Sequence, residues 1–428
     1  MMVCRIVAVL LCLFLHVSAV SLVRAEELMS RLDALVEAVT PQVIEWRRDF
    51  HAHPELGNRE ERTGRVIAEA LQAMKPDSLQ TGVAHHGVVA LIRGSHPGPT
   101  VALRADIDAL PIQEQTGLPY ASTNPGVMHA CGHDSHAAML LGAAKVLTQL
   151  RDQLHGNVKL VFQPAEEGVP AGEEGGAPLM IKEGVLQNPD VEAIFGMHVH
   201  PGLPTGRLSY RFGGLMASVD RFTLTVIGKQ SHAAMPWQGV DSVVTAAHIV
   251  TAAQTIASRT IDARQPVVVS CGIIRGGEAW NVIPESVVLE GTIRTHDQAV
   301  RERAVKQFKQ IVLSTAAAFG ARVELDMVDY GPVTWNDPEL GKRMLPTLVR
   351  VAGKGNVVET EPSMGGEDFA HYAAKIPGFY INLGIQDADG PPRQGLHHPE
   401  FTLDEAALPL GVKTHVLMAI DYLRSAKE

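Results

Sequence analysis

Short apolar runs alternate with helical patterns through the first half of this chain, and this alternation constrains the fold more than any other feature. Four of the runs have the length and composition of buried strands: Val88–Ile92, Val101–Arg104, Val158–Phe162 and Ala193–Met197. Helical patterns at Thr63–Met74 and Ser135–Leu150 lie between them. Alternating strands and helices build a mostly parallel sheet with helices on both faces. The sequence therefore predicts an α/β fold.

The pattern changes after Phe212. Four further segments have strand character: Arg221–Ile227, Pro266–Ile274, Val287–Thr295 and Ala321–Val328. Helical stretches at Val240–Ser258 and Gln298–Phe319 accompany these strands. Strands and helices in this proportion predict a smaller α+β domain over residues 213–328.

The end of the chain returns to the first pattern, with a helix near Pro338–Val351, a strand at Phe379–Leu383 and a closing helix from about Leu403. We therefore predict that the smaller domain interrupts a larger α/β domain. The two parts of that larger domain are residues 26–212 and 329–428.

The N-terminal segment is typical of a secretory signal peptide. Residues 1–25 contain no acidic residue, and Ile6–Val20 is almost continuously apolar. This run is shorter than the roughly 18 residues that a membrane span needs, which favours a signal peptide over a stable membrane anchor. Cleavage after Ala25 would give an exported protein, either periplasmic or secreted. A helix is predicted next, over Glu26–His53, with Pro41 restarting it.

Charge and cysteine content exclude two classes of protein. Lys and Arg total 37 against 47 Asp and Glu, which gives a net charge of −10, and the chain has no run of basic residues. A nucleic-acid-binding surface is therefore not expected. Four cysteines in 428 residues are too few for a scaffold built on disulfides.

Side chains that bind metals recur where the predicted strands end. The candidates from four separate segments are Cys131 with His133, Glu166 with Glu167, His198, and His397. Each segment alone is weak evidence, because a buried thiol, an exposed acidic loop or a structural histidine would explain it equally well. Open α/β sheets bind their ligands at the carboxyl ends of the strands, however, so the coincidence predicts a metal centre there.

The donor types indicate which metal and which chemistry this site would support. Thiolate, imidazole and carboxylate together suit zinc, with manganese or cobalt as alternatives. The adjacent carboxylates Glu166 and Glu167 raise each other's pKa. Such a pair can divide its roles, with one carboxylate binding a metal and the other taking a proton from water.

Eight ordered segments resemble the hippurate hydrolase and aminoacylase family: Arg104–Pro111, His129–Asp134, Gln163–Gly168, Gly196–Val199, Gly228–Pro236, Asn281–Pro284, Gly291–Thr295 and Gly366–Phe369. That family includes the indole-acetyl-amino-acid hydrolases and is related to dinuclear-zinc exopeptidases such as glutamate carboxypeptidase. The similarity extends from His51 to the last helix. It implies a metal-dependent amidohydrolase whose catalytic α/β domain is interrupted by a lid domain. Such lids often dimerise, so the resemblance also implies a homodimer.

The resemblance implies two divalent metal ions, and their ligands here would be Cys131, His133, Glu167, His198 and His397. It also makes Glu166 the general base. His232, from the lid, would reach an active site, which the resemblance favours as the partner subunit's. Asn281 and Arg294 would help to hold the carbonyl and carboxylate of the substrate.

Asp106 and Asp108 occupy the segment where related exopeptidases carry a His–X–Asp motif. A supporting role is implied for this segment, and which of the two acids matters more stays open. Two departures from the family pattern lie near the lid histidine. Gln230 and Ser231 stand where two glycines are common, and Trp237 stands where a histidine is common.

The metal centre and the family resemblance together predict hydrolysis of the amide bond of a small N-acyl amino acid, releasing a carboxylic acid and a free amino acid. A dipeptidase or carboxypeptidase on the same fold is the nearest alternative, because the same site would serve it. A non-catalytic metal binder is disfavoured, since binding alone needs no base at Glu166. A hydrolase that uses Cys131 as its nucleophile is the third alternative.

Overall fold

The computed structural model describes residues 2–387 and 389–425, with their side chains from Glu26 onward. The predicted signal peptide, residues 1–25, lies outside the residues whose side chains are described, so it stays a prediction. Among the described residues, none of the helices is both long enough and apolar enough to cross a membrane.

The first half of the chain forms most of a large α/β unit. Its helices and strands, in chain order, are α1 (Met2–Ala52), α2 (Glu61–Met74), β1 (Ser78–Val83), β2 (Gly87–Arg93), β3 (His96–Asp106), α3 (His133–Gln149), β4 (His155–Gln163), α4 (Gly176–Lys182), β5 (Val191–Pro204), β6 (Leu208–Tyr210) and β7 (Gly213–Met216). The four strands and two helices predicted from the apolar runs all form, and most extend a few residues beyond the predicted bounds.

A second unit follows, with its own sheet and core. Its elements are β8 (Val219–Ile227), β9 (Ser231–His232), α5 (Ser242–Ala253), β10 (Val267–Arg275), β11 (Val282–Ile283), β12 (Ser286–Thr295), α6 (Gln298–Ala318) and β13 (Arg322–Gly331). The four longer strands form an antiparallel sheet in the order β10-β12-β8-β13. Phe222 and Phe308 pack in its core with ring centroids 4.5 Å apart. The two-residue strands β9 and β11 pair with each other, and they were not predicted because they are too short to show a period.

The last part of the chain completes the large unit with β14 (Thr334–Asn336), α7 (Pro338–Ala352), β15 (Val357–Glu359), α8 (Ala370–Ala373), β16 (Gly378–Gln386) and α9 (Leu408–Ser425). Strands β7 and β14 pair with each other. The chain therefore leaves and re-enters the large unit through two adjacent strands.

The large sheet has eight strands in the order β1-β2-β4-β3-β5-β16-β6-β15. Its central strands β4, β3, β5 and β16 are parallel neighbours. Antiparallel pairs lie toward the edges, at β1–β2, β2–β4 and β16–β6. The predicted α/β fold with a mostly parallel sheet is confirmed.

Helices cover both faces of this sheet, and alternate side chains of each strand point to opposite faces. Phe195 and Met197 of β5 pack with residues of α1, α3 and α9 on one face. Ile194, whose side chain points the opposite way, packs with residues of α4 and α8 on the other. Burial on both faces is the reason that these strands read as continuous apolar runs.

The prediction that Pro41 restarts the first helix was wrong, because α1 continues through it. A proline inside a helix costs about 3 kcal/mol. Pro41 itself is exposed, however, while Val39 and Val43 on either side of it are buried in the core. Apolar packing of this helix face outweighs the cost of the proline. The closing helix also starts later than predicted, at Leu408, after a short 3-10 turn.

Candidate metal centre

The carboxyl ends of neighbouring parallel strands bring the candidate residues together. Asp106 ends β3, Glu166 follows closely after β4, and His198 lies in β5. Asp106 is directly opposite Gln163, the last residue of β4, in the sheet register. His133 is the first residue of α3. The predicted placement of these side chains at one edge of the sheet is what the structure shows.

The five candidate ligands converge, and we call Cys131, His133, Glu167, His198 and His397 the ligand cluster. The Sγ atom of Cys131 lies 3.4 Å from Nε2 of His198. Nε2 of His397 lies 3.1 Å from Oε1 of Glu167, and Nε2 of His133 lies 4.0 Å from the same oxygen. Two groups of donor atoms, Cys131–His133–His198 and Cys131–Glu167–His397, each fit within 4.8 Å and share the thiol.

Backbone carbonyl groups orient two of the imidazole rings. Nδ1 of His133 donates to the carbonyl of Asp108 at 2.9 Å, and Nδ1 of His198 donates to the carbonyl of Val199 at 2.7 Å. A carbonyl only accepts, so in the neutral rings the lone pair is on Nε2, which faces the cluster. Nε2 of His133 is buried and has no hydrogen-bond partner within the described part of the chain. These donors fit a metal ion.

The electrostatics of His133 also suit a bound cation. Burial alone would lower the pKa of this imidazole, but the charges of Asp106, Asp108 and Glu167 raise the pKa to about 10. The surrounding carboxylates therefore favour a positive charge at this position, and a divalent ion would supply it.

Asp108 and Asp106 contact the ligand cluster in different ways. Oδ1 of Asp108 lies 3.1 Å from Nδ1 of His133, and its Oδ2 accepts from the backbone amide of Glu167 at 2.9 Å. Asp108 thus holds two candidate ligands in place. Asp106 lies 2.5 Å from Nδ1 of His136 and 3.8 Å from Nε2 of His133. His136 also accepts from the Val199 amide at 3.0 Å, so both of its nitrogens are used in supporting contacts.

The adjacent acids Glu166 and Glu167 have opposite pKa shifts. Burial, followed by the charges of Glu367 and Glu167, holds the pKa of Glu166 well above its ordinary value. Burial also acts to raise the pKa of Glu167, but its contact with His397 and the charge of His133 lower it overall. Glu167 therefore favours the ionised form, which binds a metal, whereas Glu166 favours the protonated form until a nearby positive charge stabilises its carboxylate.

A buried ion-pair network lies beside Glu166, and no role was predicted for it from the sequence. The Arg104 guanidinium lies 2.6 Å from Asp106, 2.8 Å from Asp368 and 3.0 Å from Glu367. The backbone amide of Asp368 donates to Oε1 of Glu166 at 3.3 Å. Arg104 and Gly366–Phe369 belong to the segments that carry the family resemblance. The signal was therefore present, but nothing in the sequence joined the two segments.

Glu60 was not predicted from the sequence either. It precedes α2 and is fully buried. Its Oε1 accepts from the backbone amide of Ala165 at 2.8 Å. Ala165 directly precedes Glu166 and has a φ of 54°, in the left-handed region that non-glycine residues rarely adopt. Burial and the charge of Asp108 raise the pKa of Glu60 to about 8, so this carboxyl is neutral at pH 7.

The candidate residues of the second unit lie apart from the ligand cluster. His232 is exposed in β9, and the carbonyl of Asn281 accepts from the Ala233 amide at 3.0 Å, so these two residues are neighbours. Arg294 on β12 is half-buried and donates to the carbonyl of Met364 at 3.2 Å. Among the described residues, neither His232, Asn281 nor Arg294 makes a hydrogen bond or ion pair with the ligand cluster.

A buried thiol, two buried imidazoles, a partly buried carboxylate and the exposed imidazole of His397 meet at the carboxyl edge of an α/β sheet, with the carboxyl group of Glu166 beside them. These donors are typical of a metal-dependent hydrolase. The sequence profile of peptidase family M20/M25/M40 matches residues 102–421. The chain belongs to this family and is a metal-dependent amidohydrolase.

Individual relatives agree with this assignment. N-acetylcysteine deacetylase of Bacillus subtilis is 40% identical over 391 residues, which are 91% of this chain and 99% of the relative. Thermostable carboxypeptidase 1 of Saccharolobus solfataricus is 39% identical, over 92% of this chain and 99% of that protein. A solved structure from Bacillus subtilis, described as a dinuclear metal-binding peptidase of the M20 family, superposes with a TM-score of 0.79. It is 39% identical, and the match covers 91% of this chain and 99% of that one.

The contact between Glu60 and Ala165 makes a testable prediction. Glu60→Leu should lower kcat about tenfold or more, because it removes the acceptor that holds the turn before Glu166. Glu60→Gln should keep most of the activity, since the amide oxygen still accepts and the native carboxyl is neutral at pH 7. Steady-state kinetics at pH 7, with metal content measured in parallel, would check this. Equal losses in both variants would contradict the role of this hydrogen bond.

Proposed function

We propose that this amidohydrolase cleaves the amide bond of N-acyl amino acids to a carboxylic acid and a free amino acid. The observation that carries the proposal is the ligand cluster with Glu166 directly beside it, since Oε2 of Glu166 lies 4.0 Å from Nε2 of His133. The relative named N-acetylcysteine deacetylase supports this substrate class. The relative named thermostable carboxypeptidase 1 supports the alternative, a dipeptidase or carboxypeptidase on the same fold.

We further propose that the site binds two divalent metal ions, with zinc favoured and manganese or cobalt as alternatives. Support comes from the two groups of donors that share Cys131, and from the relative described as dinuclear. His133 and His198 would hold one ion, and Glu167 with His397 the other. When bound, such ions polarise the amide carbonyl and lower the pKa of water.

The protein's own residues would carry the proton and the charge. Glu166 would accept a proton from the attacking water and later deliver it to the leaving amine. His232 would donate to the tetrahedral oxyanion, where loss of one donor typically costs on the order of 100- to 1000-fold in rate. Asn281 would hold the substrate carbonyl. The planar fork of Arg294 would bind the substrate carboxylate at two oxygens.

The substrate class can be tested with one panel. We expect purified enzyme to hydrolyse N-acyl amino acids faster than dipeptides of the same amino acids. Activity should disappear with a chelator and return with zinc, manganese or cobalt, because the cluster supplies the ligands. Higher kcat/KM on dipeptides would favour the alternative, and activity in a metal-free sample would reject the metal mechanism and favour a Cys131 nucleophile.

The two adjacent acids should respond differently to the same change. Glu166→Gln should keep near-normal metal content and lose most of its turnover, since only the base is removed. Glu167→Gln should lose metal, since its carboxylate lies within the ligand cluster. Metal analysis and initial rates of both variants would decide the assignment. If Glu166→Gln emptied the site instead, the two roles would be reversed.

We propose that the enzyme is a homodimer in which the unit of residues 213–328 acts as a lid and His232 serves the partner's site. Two observations support this. His232 is exposed and makes no contact with the ligand cluster of its own chain among the described residues. In addition, β10 is an edge strand of the lid sheet, and Ile274 on it is 61% exposed. A two-fold pairing of lids would cover this edge.

Mixing two inactive variants tests the arrangement. If His232→Ala and Glu166→Gln subunits exchange, one site of each mixed dimer would combine an intact base with an intact lid histidine. Activity should then return toward half per mixed dimer. If His232 serves its own chain, every site stays defective. No recovery, with mixed dimers shown to form, would reject the trans arrangement and leave the ligand assignments untouched.

We also propose that the chain is exported and that residues 1–25 are removed. The support is the acid-free apolar segment that ends at Ala25. N-terminal sequencing of the exported protein should begin near Glu26, and a mature protein that starts at Met1 would contradict export by cleavage.

A further inference from the structure

A cleft of about 410 Å³ opens beside Glu166, between the loop that follows β4, helix α4 and strand β13 of the lid. Its walls are mostly apolar and include Val169, Leu179, Val328 and Tyr330. Its volume lies within the range of small-molecule pockets, roughly 300–1,000 Å³. The cleft is therefore large enough to hold one part of a substrate whose reacting bond lies at Glu166.

The charged groups that line this cleft are already paired within the chain. Lys182 lies 2.6 Å from Glu174. Asp329 lies 2.5 Å from Arg301. Among the described lining residues, both charges thus have a partner of opposite sign, and the Lys182–Glu174 pair is exposed to solvent on both sides.

Two other polar groups that line the cleft, Asp368 and His371, also have hydrogen-bond partners within the chain. Asp368 accepts hydrogen bonds from Arg104, Gln163 and the backbone amide of Ala177, at 2.7 to 2.8 Å. The ring of His371 lies 3.3 Å from the carbonyl of Tyr330, and burial lowers its pKa, so the ring is neutral at pH 7. Among the described lining residues, Lys182 is outnumbered by the acids Glu174, Asp329 and Asp368, so the cleft does not attract a substrate carboxylate.

Arg294 is a more favourable partner for a substrate carboxylate than the cleft is. The half-buried guanidinium of Arg294 donates one hydrogen bond, to the carbonyl of Met364 at 3.2 Å, among the described residues. Burial lowers its pKa from an already high value, so it keeps its charge at neutral pH. Its Nη1 lies 3.6 Å from the position that a Cβ on Gly366 would take, two residues before Asp368. Arg294 therefore lies beside Gly366, and the cleft is lined by Asp368, two residues further along the same segment.

The charged guanidinium of Arg294 and the apolar walls of the cleft would bind different parts of the substrate and so orient it. The carboxylate of the amino acid gains an ion pair at Arg294, whereas it would meet only apolar walls and paired charges in the cleft. An uncharged apolar group has the opposite preference, since its burial against these walls is favourable and becomes more so with each methylene.

We propose that this cleft binds the acyl group of the substrate and that its apolar walls favour acyl chains longer than acetyl. The proposal rests on the proposed hydrolysis of N-acyl amino acids. Val328 on β13 sets one wall, so this lid residue acts as a specificity determinant.

The test measures kcat/KM of the metal-loaded enzyme on N-acetyl, N-butanoyl and N-hexanoyl derivatives of one amino acid. The three amides have nearly the same electronic character, so the ratio of hexanoyl to acetyl reports binding of the chain. We expect this ratio to be about tenfold or more in the native enzyme. Val328→Asp, which adds a charge, and Val328→Trp, which fills the cleft, should each lower the ratio about tenfold.

Leu313→Asp provides a matched control, because Leu313 is an exposed aliphatic residue of α6 that lies outside the cleft. It should leave the native ratio unchanged. A flat ratio in the native enzyme, or a ratio that neither Val328 variant changes, would overturn the acyl cleft while N-acyl hydrolysis stands. Cleavage of dipeptides without cleavage of any N-acyl amino acid would instead reject the proposed function, and the acyl cleft with it.

Discussion

The guanidinium of Arg104 is the charge on which the catalytic edge of the sheet depends. Three carboxyl groups, those of Asp106, Glu367 and Asp368, lie within 3.0 Å of it in the interior. Burying an unpaired carboxylate costs several kcal/mol, so this group of acids needs a buried cation. An arginine can serve all three because its planar fork presents five donors, which a lysine does not. With Arg104 in place, Asp106 can hold His136, and the Asp368 amide can contact Glu166.

Much of the fold and most of the ligand cluster could be predicted from the sequence, for two physical reasons. Strands that are buried on both faces must be apolar at nearly every position, so β2 through β5 stand out as short apolar runs. Because ligands gather at the carboxyl ends of such strands, the polar residues that follow the runs marked one edge of the sheet. His133, Glu167 and His198 were found in this way. Their individual roles came from family resemblance and not from the pattern.

The sequence could not predict contacts that join distant segments. Glu60 and Ala165 are 105 positions apart. A glutamate at one position and an alanine at the other give no indication of the hydrogen bond between them. The choice between Asp106 and Asp108 likewise depended on which oxygen faces which ring, a question of register and side-chain angle. Pro41 shows a different limit, because a local rule of helix formation was overridden by apolar packing that only the folded state reveals.

The path of the chain through the large sheet has a consequence for biosynthesis. Strands β5 and β16 are direct neighbours, yet the whole sheet of the second unit lies between them in the chain. During translation, β5 and Cys131 emerge before the second unit, whereas β16 and His397 emerge after it. Contacts of such long range form slowly, and a partly made chain leaves the β5 edge unpaired. The candidate ligand set is therefore completed only after the whole second unit has been made, so metal binding that needs His397 would follow the folding of both units.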